Sequence, residues 1–479
     1  MVTPEDHTGF RLKASAVRSG VLIPKYYDPE IGAQLSALKS THQLISIGTL
    51  IGEGHISVQT GDEIGKMAYG TGTIPFVRTS DISNWEIKTD PKQGVSAEVY
   101  NEYRSSQDVR AGDILFVRDG TYLIGSIAVV TEADLPLLFQ SHILKIRVND
   151  GSPISPWLLM ACLSTSVVKR QVQSKRFTAD IIDTIGERYR EIILPVPISK
   201  QVVNRIVEEV KDLTSKRSKL RDGIKKIPHW IEGGISSLEE DLPESTDNLQ
   251  EDEVLGFSRS LSKIRSGVFI PKYYDPGLEK AAYELTSSHN LVSLAQLIDK
   301  GTISWSTGIE VGKMAYGTGP IPFIRTSDIS NWELKGDPKQ AVSEEIYQAN
   351  KQDVREYDIL LVRDGTYLVG TSCILTAVDT KILFCGGLYK FRVEDDAEMS
   401  GYLLLALLNS PFARRQMRSK QFTRDIIDTL GKRVFEVILP VPKHAGTRAK
   451  IGEATRNLIE GRAVLRDRTK EIALEVTGT

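Results

Sequence analysis

The chain has 479 residues, 41% of them apolar and 25% charged, with a formal net charge of −2. These values are typical of a globular protein of about two to four domains. They exclude a strongly basic protein that binds nucleic acid through its overall charge. A local basic face remains compatible with them. The 3 cysteines exclude a disulfide framework, and no apolar run reaches the length of a membrane span. Because the first residues, MVTPEDHTGF, also lack the features of a signal peptide, we expect a cytoplasmic protein with no membrane partner.

Most segments of the first half recur in the second half. Residues 65–96 (GKMAYGTGTIPFVRTSDISNWEIKTDPKQGVS) match residues 312–343 at 27 of 32 positions. Residues 18–29 (RSGVLIPKYYDP) recur at 265–276, residues 117–125 (VRDGTYLIG) at 362–370, and residues 174–186 (SKRFTADIIDTIG) at 419–431. A period of about 246 residues is too long for a solenoid. The sequence therefore predicts a duplicated domain.

Each half is predicted to begin with β-structure. TIPFVRTSDIS is a strand that enters a loop, and its Pro75 indicates an edge strand or a strand start. DILFVRDG is a strand followed by an Asp-Gly turn, and HILKIRVND alternates as a half-buried strand does. The offset between the copies changes between Tyr100 and Gln107, and we expect this length difference in a surface loop.

Helical segments follow the strands in each half. SPWLLMACLSTSVVKRQVQSKRF and SGYLLLALLNSPFARRQMRSKQF are each predicted to form a helix. After each LPVP comes a helical segment of roughly 30 residues, about 45 Å long if continuous. Apolar residues at helical spacing predict its buried stripe: Val203, Ile206, Val207, Val210 and Leu213 in the first segment, and Ile451, Ala454, Leu458, Val464 and Leu465 in the second. Each stripe needs a partner, which predicts an antiparallel pair of these two helices.

The predicted fold class is α+β. It has two mixed α/β domains, each followed by a long helix; the two helices pair as an antiparallel coiled coil with pseudo-twofold symmetry. We assign the first domain to residues 1–197, its helix to 198–232, an acidic linker to 233–262, the second domain to 263–442 and its helix to 443–479. Such symmetry suits a target that is itself twofold, of which B-DNA is the commonest.

The repeated loop RTSDISNW follows an apolar strand and is rich in side chains that contact DNA. Arginine and asparagine fit the edges of guanine and adenine, and serine and threonine bind phosphates. The candidate DNA contacts are therefore Arg78, Thr79, Ser80 and Asn84, with Arg325, Thr326, Ser327 and Asn331 in the second copy. The alternative is that Asp81 and Ser83 only bond the backbone in a turn. Trp85 and Trp332 are predicted to be core anchors rather than wedges.

The repeated turn VRDGTY offers a second set of candidates. These DNA contacts are Arg118, Thr121 and Tyr122, with Arg363, Thr366 and Tyr367 in the second copy. The alternative is that the arginine and the following aspartate, Asp119 or Asp364, form a structural ion pair.

Two basic runs, KRQVQSKRF and RRQMRSKQF, end the helical segments. Their cations favour phosphate neutralisation in both copies: Lys169, Arg170, Lys175 and Arg176 in the first, and Arg414, Arg415, Arg418 and Lys420 in the second. The alternative is that these cations only complement the helix dipole.

Sequence motifs of catalysis are absent: there is no GxGxxG, Walker loop, HExxH or NPPY-like methyltransferase tetrapeptide, and no cysteine or histidine cluster with zinc spacing. The matching His42 and His289 are predicted to be structural. We therefore expect a non-catalytic protein with no metal. An unrecognised active site at Asp81 or Asp119 is the alternative.

The order of these motifs resembles the specificity (S) subunit of type I restriction–modification enzymes. GTIPFVRTSDI, DILFVRDGT and the ILPVP before each long helix are similar to motifs of that family, and the resemblance runs from about residue 44 to the end of the chain. It implies two target-recognition domains in a prokaryotic phage-defence complex, each reading one half of a bipartite double-stranded DNA target. It also implies that the helices set the spacing and dock two adenine-N6 methyltransferase subunits. A restriction subunit can join, the specificity subunit itself has no cofactor, and S-adenosylmethionine belongs to its partner.

Two features depart from the family pattern. RSGVLIPKYYDP resembles instead the recognition regions fused to adenine methyltransferases, which leaves open another methylase-based defence complex. The near-identity of the domains predicts an interrupted palindrome, or nearly so. The copies differ at residues 58–64 (VQTGDEI against WSTGIEV) and 139–144 (FQSHIL against FCGGLY), so the half-sites diverge if these segments reach bases. A duplicated scaffold that binds two copies of a protein rather than DNA is a further alternative.

Overall fold

The computed structural model describes residues 10–17, 21–89, 91, 93–120, 123–179, 182–242, 256–265, 267–365, 368–394, 399–424 and 427–478. The chain packs into two units. The first unit comprises residues 1–87, 91–215 and 467–479, and the second comprises residues 88–90 and 216–466. Because the boundaries cut both long helices, each unit contains one sequence copy and a piece of each helix. None of the described helices has the length and hydropathy needed to cross a bilayer.

The first copy has five short helices and thirteen strands in its described residues, followed by a long helix. The helices are α1 (Pro29–Leu38), α2 (Ile47–Gly52), α3 (Ala97–Gln107), α4 (Pro156–Leu163), α5 (Ser166–Ser174) and the long α6 (Lys200–Ile231). The strands are β1 (His42–Ser46), β2 (Ile56–Thr60), β3 (Ile74–Val77), β4 (Ile82–Ser83), β5 (Glu86–Ile87), β6 (Gly94–Val95), β7 (Ile114–Val117), β8 (Ile127–Val129), β9 (Leu138–Phe139), β10 (Ile143–Val148), β11 (Phe177–Ala179), β12 (Ile182–Thr184) and β13 (Ile193–Pro197).

The described part of the second copy repeats this series element by element. Its helices are α7 (Pro276–Leu285), α8 (Leu294–Asp299), α9 (Glu344–Ala349), α10 (Gly401–Leu408), α11 (Pro411–Lys420) and the long α12 (Ala445–Thr477). Its strands are β14 (His289–Ser293), β15 (Ile303–Thr307), β16 (Ile321–Ile324), β17 (Ile329–Ser330), β18 (Glu333–Leu334), β19 (Ala341–Val342), β20 (Ile359–Val362), β21 (Ser372–Ile374), β22 (Leu383–Phe384), β23 (Leu388–Val393), β24 (Phe422–Arg424), β25 (Ile427–Thr429) and β26 (Ile438–Pro442).

The sheets have the same topology in both copies, which confirms the duplicated domain. The largest is antiparallel in the order β2-β10-β7-β8, matched by β15-β23-β20-β21. A smaller sheet has the order β6-β3-β9, with β3 antiparallel to β6 and parallel to β9. Of the two positions expected for Pro75, an edge strand or a strand start, the structure has the second, since β3 lies in the middle of the sheet and begins at Ile74. Pro75 is tolerated there because it is the second residue of the strand, opposite Gly94.

The apolar segment predicted as one helix in each copy is two helices. The first copy breaks between α4 and α5 at Ser164 and Thr165, and the second breaks between α10 and α11. At the second break, Ser410 Oγ accepts a hydrogen bond from Ala413 N (3.2 Å) and Pro411 takes the first helical position. Serine caps and proline at this position favour a new helix start over continuation.

The sequence predicted that the length difference between the copies lies in a surface loop, but it lies in a helix. Helix α3 has 11 residues, whereas its counterpart α9 has 6. Most residues of α3 face solvent, so the added residues extend an exposed helix end without disturbing the core.

The two long helices pair antiparallel within each unit, as predicted. In the first unit, Arg468 Nη2 lies 2.7 Å from Glu209 Oε1, so the end of α12 packs beside the start of α6. In the second unit, the end of α6 packs beside α12 at Gly223, where an added Cβ would lie 2.5 Å from Leu458 Cδ2. The absence of a side chain at Gly223 therefore allows the close approach of the helices.

The buried stripe of α12 differs from the prediction. Ile451 and Leu458 are buried as expected, but Val464 is 69% exposed. Arg462 and Arg466, which a sequence pattern assigns to solvent, are 0% and 2% exposed. The stripe predicted for α6 is confirmed at Ile206, Val210 and Leu213, which are all buried, while Val203 and Val207 are half-buried.

The buried arginines of α12 are paired with acidic residues of the second domain. Glu333 Oε1 accepts from Arg217 Nη2 of α6 (2.5 Å) and from Arg462 Nη2 of α12 (2.7 Å), and its side chain is 4% exposed. One turn further along α12, Arg466 Nη2 donates to Asp379 Oδ1 (2.8 Å). Buried charges are tolerated only when paired, so these bonds fix the domain against the helix pair.

The hairpin that carries Glu333 has an unusual turn. Asn331 and Trp332 have φ of 50° and 64°, and Asn84 and Trp85 have φ of 51° and 66° in the first copy. Two residues with positive φ form the tight turn that matches the twist of a two-residue hairpin. Both tryptophans are 8% exposed, which confirms them as core anchors.

The matching histidines cap the ends of the long helices. His42 Nε2 donates to Val476 O (2.6 Å) at the end of α12, and His289 Nε2 donates to Ile231 O (2.7 Å) at the end of α6. Helix-end carbonyls lack donors within the helix, so each imidazole satisfies one of them. This confirms the structural role predicted for both histidines.

Replacing Glu333 with alanine removes the carboxylate that two buried guanidinium groups share. We expect Glu333→Ala to lower the free energy of unfolding by about 3–5 kcal/mol, and Glu333→Gln to lower it by less. Chemical denaturation measures both values. Glu356→Ala, at an exposed residue, is the matched control and should change stability by less than about 0.5 kcal/mol. Equal stability of Glu333→Ala and the control would contradict the role of the buried pairs.

Burial raises the pKa of the Glu232 carboxyl, which follows α6, from 4.5 to about 7, although the hydrogen bond from Phe412 N (2.6 Å) acts in the opposite direction. Because the pKa of Glu232 is higher in the folded state than in the unfolded state, this carboxyl contributes stability to the folded state. Its contribution is full below about pH 4.5 and is lost as the pH rises through about 7.

We therefore expect Glu232→Gln to gain stability relative to the wild type as pH rises from about 5 to 8, by about 1–3 kcal/mol. Denaturation at several pH values measures this, with the exposed Glu284→Gln as control. Parallel pH profiles of wild type and Glu232→Gln would contradict it.

Candidate nucleic-acid interface

Several segments converge at one point in each copy, which we call the loop junction. In the first copy it comprises Thr79, Arg118, Asp119, His142 and Thr184; in the second, Thr326, Arg363, Asp364, Gly387 and Thr429. Backbone bonds hold the segments together: Arg118 N and Asp119 N donate to His142 O (2.9 and 3.2 Å), and Gly120 N donates to Asp183 O (2.9 Å). These bonds join the VRDG turn, the turn before β10 and the β11–β12 hairpin. The RTSD loop lies beside them, since a Cβ on Gly120 would lie 4.0 Å from Thr79 Oγ1.

Asp119 is the centre of the first loop junction. Its carboxylate accepts from Arg118 Nη2 (2.6 Å) and from Thr184 Oγ1, and it lies 3.2 Å from His142 Nδ1. Burial favours the neutral acid, but the hydrogen bonds from Arg118 and Thr184 and the arginine charge outweigh it and lower the pKa of Asp119. Asp119 is thus ionised at neutral pH and is a poor proton acceptor, which disfavours the alternative of an active site there.

The arginine of each junction forms the ion pair that the sequence left open. Arg363 Nη2 lies 2.5 Å from Asp364 Oδ2, as Arg118 lies near Asp119 in the first copy. The arginine side chains remain 21% and 28% exposed in the first and second copies. The DNA contact predicted for Arg118 and Arg363 stays a prediction, since an exposed edge of an ion pair can still meet a phosphate or a base.

The aspartate of the RTSD loop bonds the backbone, as the alternative for this loop expected. Asp81 Oδ2 accepts from Arg78 N (2.9 Å), and Asp328 Oδ2 accepts from Arg325 N (2.8 Å). This turn holds the rest of the loop at the surface: Arg78, Thr79, Arg325, Thr326 and Ser327 are half-buried and Ser80 is exposed. These six residues remain candidate contacts.

The asparagines of the same segment lie elsewhere. Asn331 is 4% exposed, and its Oδ1 accepts from Thr89 N (2.8 Å), which belongs to the second unit. Asn84 is half-buried at the corresponding tight turn. The bond to Thr89 holds the Asn331 side chain at the hairpin, so the structure does not bring it together with the other candidates. The DNA contact of Asn84 stays a prediction.

The basic runs are partly neutralised by the repeated KYYDP segment. Arg170 Nε lies 2.6 Å from Asp28 Oδ2, and Arg415 Nε lies 2.6 Å from Asp275 Oδ2. Lys175 lies 4.5 Å from the ring centre of Tyr26, and Lys420 contacts Tyr273 in the same way at 4.7 Å. This segment, which the resemblance did not explain, therefore covers the basic run of its own domain.

The remaining predicted cations have varied surroundings. Arg176 Nε lies 3.3 Å from Asp183 Oδ2, and Arg414 Nη1 donates to Gly370 O (2.6 Å). Lys169 and Arg418 are exposed on α5 and α11. Thr121, Tyr122, Thr366 and Tyr367 lie outside the described residues. Sequence reasoning missed Asp28 and Asp275, although each aspartate and its arginine partner recur together in the two copies.

Within the described ranges there is no group of three or more histidine, cysteine, aspartate or glutamate side chains that could hold a metal ion. The loop junction presents arginine, threonine and carboxylate groups. Such groups bind by hydrogen bonds and charge.

No protein-family model and no curated protein match the chain. Several solved structures to which it is similar over about nine-tenths of its length are type I restriction–modification proteins. They include the S subunit from M. genitalium (11% identity, 91% of this chain and 95% of that chain, TM-score 0.33) and the HsdS subunit from Thermoanaerobacter tengcongensis (16%, 92% and 92%, 0.27). A third comes from a study of complex assembly and conformational transition of the type I R-M system (16%, 91% and 97%, 0.28).

Replacing Asp119 with asparagine tests its place at the centre of the junction. The change keeps the shape but removes the charge that Arg118 and Thr184 bind, so we expect the free energy of unfolding to fall by about 1–3 kcal/mol. Because the pKa of Asp119 is lowered, this stabilisation is present above about pH 4 and is lost on acidification. Thermal denaturation at neutral pH measures it against the exposed Asp150→Asn. A loss no larger than that of the control would contradict it.

Proposed function

We propose that this chain is the DNA sequence-specificity subunit of a type I-like restriction–modification system. Each domain reads one half of a bipartite, nearly palindromic target in double-stranded DNA. The observation that carries this function is the presence of the same loop junction in both copies, on domains of identical topology. A surface kept twice with its supporting strands indicates a target that presents the same feature twice, and the two strands of B-DNA do so.

The chemistry of the loop junction supports a DNA target. Arginine fits the edge of guanine, and threonine and serine donate to phosphates or bases. The exposed Lys169 and Arg418 add positive charge in the basic runs, where phosphates bind without regard to sequence. Base reading is thus assigned to the junction, and backbone contact to the basic runs.

The long helices supply the spacing in this proposal. Arg217 and Arg462 bind Glu333 in the second unit, and His289 caps α6, so the second domain is fixed to the helix pair by directional bonds. A domain fixed in this way keeps its distance along the helices, which lets helix length set the gap between half-sites. We assign the helices the further role of docking two adenine-N6 methyltransferase subunits.

The chain has no catalytic role in this proposal. Methyl transfer, and the S-adenosylmethionine that it uses, belong to the methyltransferase subunits, and a translocating restriction subunit can join the complex. The ionised Asp119, already engaged by Arg118 and Thr184, serves to hold the junction in place.

Methylome sequencing of cells that express this chain with its adjacent methyltransferase gene tests the proposal. We expect methylated adenine in one interrupted, nearly palindromic motif, and no such motif when either gene is absent. An active methyltransferase that leaves the genome unmethylated in the presence of this chain would favour a protein scaffold instead. Methylation of a continuous, non-bipartite motif would favour a recognition module of another defence complex.

The exposed cations of the basic runs provide a second test. If Lys169 and Arg418 bind phosphates, replacing both with alanine should weaken binding to all DNA sequences alike and reduce the slope of log affinity against log salt by about 2. Binding of the assembled complex to duplexes with and without the target, at several salt concentrations, measures this. Lys300→Ala, an exposed lysine of the second domain far along the chain from either run, is the control and should leave the slope unchanged.

A further inference from the structure

The supporting groups of the loop junction are the same in both copies. Asp364 accepts from Thr429 Oγ1 (2.6 Å), as Asp119 accepts from Thr184 Oγ1. Gly387 O accepts from Arg363 N and Asp364 N (2.9 and 3.2 Å), at the same distances as His142 O accepts from its partners. The backbone of the turn before β10 is therefore held identically, and only its side chains differ.

In the first copy, this turn carries Ser141 and His142. Since the Asp119 carboxylate can only accept, His142 Nδ1 carries the proton that faces it at 3.2 Å. The other ring nitrogen, Nε2, lies 3.9 Å from Glu63 Oε1, which Ser141 Oγ also contacts. The imidazole is 33% exposed and covers Asp119, whose side chain is 8% exposed. The first junction thus presents an imidazole edge to its surroundings.

In the second copy, the same positions are Gly386 and Gly387. With no imidazole above it, the Asp364 carboxylate is 26% exposed, about three times as much as Asp119. A Cβ on Gly387 would lie 3.0 Å from Thr326 Cγ2, so the RTSD loop packs closely against the bare backbone. The second junction thus presents a carboxylate in a recess.

Two other differences between the copies add aromatic side chains that pack against each other, of which Trp305 is 39% exposed. Trp305 replaces Val58 and lies 4.7 Å from Phe435 and 5.7 Å from Tyr389, measured between ring centres. Tyr389 is 3% exposed, and Arg363 lies 5.5 Å from its ring centre. Tyr389 thus packs against Arg363, whereas the turn at Gly386 and Gly387 changes which side chains the junction exposes.

We infer that the turn before β10 sets a difference in base preference between the two half-sites, and that the target is therefore an imperfect interrupted palindrome. The exposed Asp364 accepts hydrogen bonds only, so the second half-site has a base pair that presents an amino group at this point, of which cytosine N4 is the usual partner of a carboxylate. His142 covers the equivalent carboxylate, so the first half-site has a different base pair there. This inference rests on the proposed function.

Methylome sequencing with the double variant Ser141→Gly, His142→Gly tests it, because this variant gives the first junction the side chains of the second. We expect the parent motif to be asymmetric at one position. In the variant, the first half-site should change at that position to the base pair of the second half-site, while the second half-site stays the same. His55→Ala, at a histidine that is 29% exposed and pairs with Glu53 outside the junction, is the control and should leave the motif unchanged.

The outcomes separate the inference from the proposed function. If the parent methylates a bipartite motif and the double variant methylates the same motif, the inference is wrong and the proposed function stands. A perfectly palindromic parent motif has the same meaning. If the parent methylates no motif, both are wrong.

A milder variant covers the case in which the double variant does not fold. His142→Ala keeps a Cβ and uncovers Asp119, so it should lose at least about tenfold of the discrimination at that one position of the first half-site. Discrimination is measured as the methylation rate of duplexes that differ only at that base pair. An unchanged rate ratio would overturn the inference.

Discussion

The arrangement of the second domain on the long helices depends on one carboxylate. Glu333 lies at the tip of a two-stranded hairpin and accepts from an arginine of each helix, Arg217 and Arg462, in a site that solvent hardly reaches. Moving three charged groups out of water is costly unless they bind each other with good geometry. Any sliding of one helix along the other separates these groups, so the ion pairs define one register. The strained turn at Trp332 is the local cost of bringing Glu333 to that point.

A second ionic contact partly neutralises the basic run of each domain. Asp28 and Asp275, from the segment that precedes the first strand of each domain, pair with Arg170 and Arg415. Charge that looks available in the sequence is thus partly used inside the domain. The polar surface considered for binding is therefore the loop junction, and Lys169 and Arg418 are exposed in the basic runs. The positive charge that this chain exposes is therefore local, in keeping with its net charge of −2.

Because both copies have the same fold, their comparison shows which residues hold the loop junction together and which ones only change its exposed surface. Arg118, Asp119 and Thr184 and their counterparts make the same bonds, whereas His142 gives way to Gly387 without any change in the backbone bonds around it. A duplicated chain can vary in this way because a turn held by backbone bonds tolerates changes in its exposed side chains. The length difference in α3 is tolerated for a related reason, since it extends an exposed helix end.

The sequence by itself determined the duplication, several of the strands, the two long helices, and the RTSD loop and VRDG turn of the loop junction, because apolar periodicity and Asp-Gly turns are local signals. Only the tertiary structure decided which polar residues face inward. Arg462 and Arg466 are buried because carboxylates from distant parts of the chain meet them, and this displaced the predicted stripe at Val464. Asn331 lies inside because a tight hairpin turns it there. Such pairings join residues more than 80 positions apart, and no periodicity within one segment contains them.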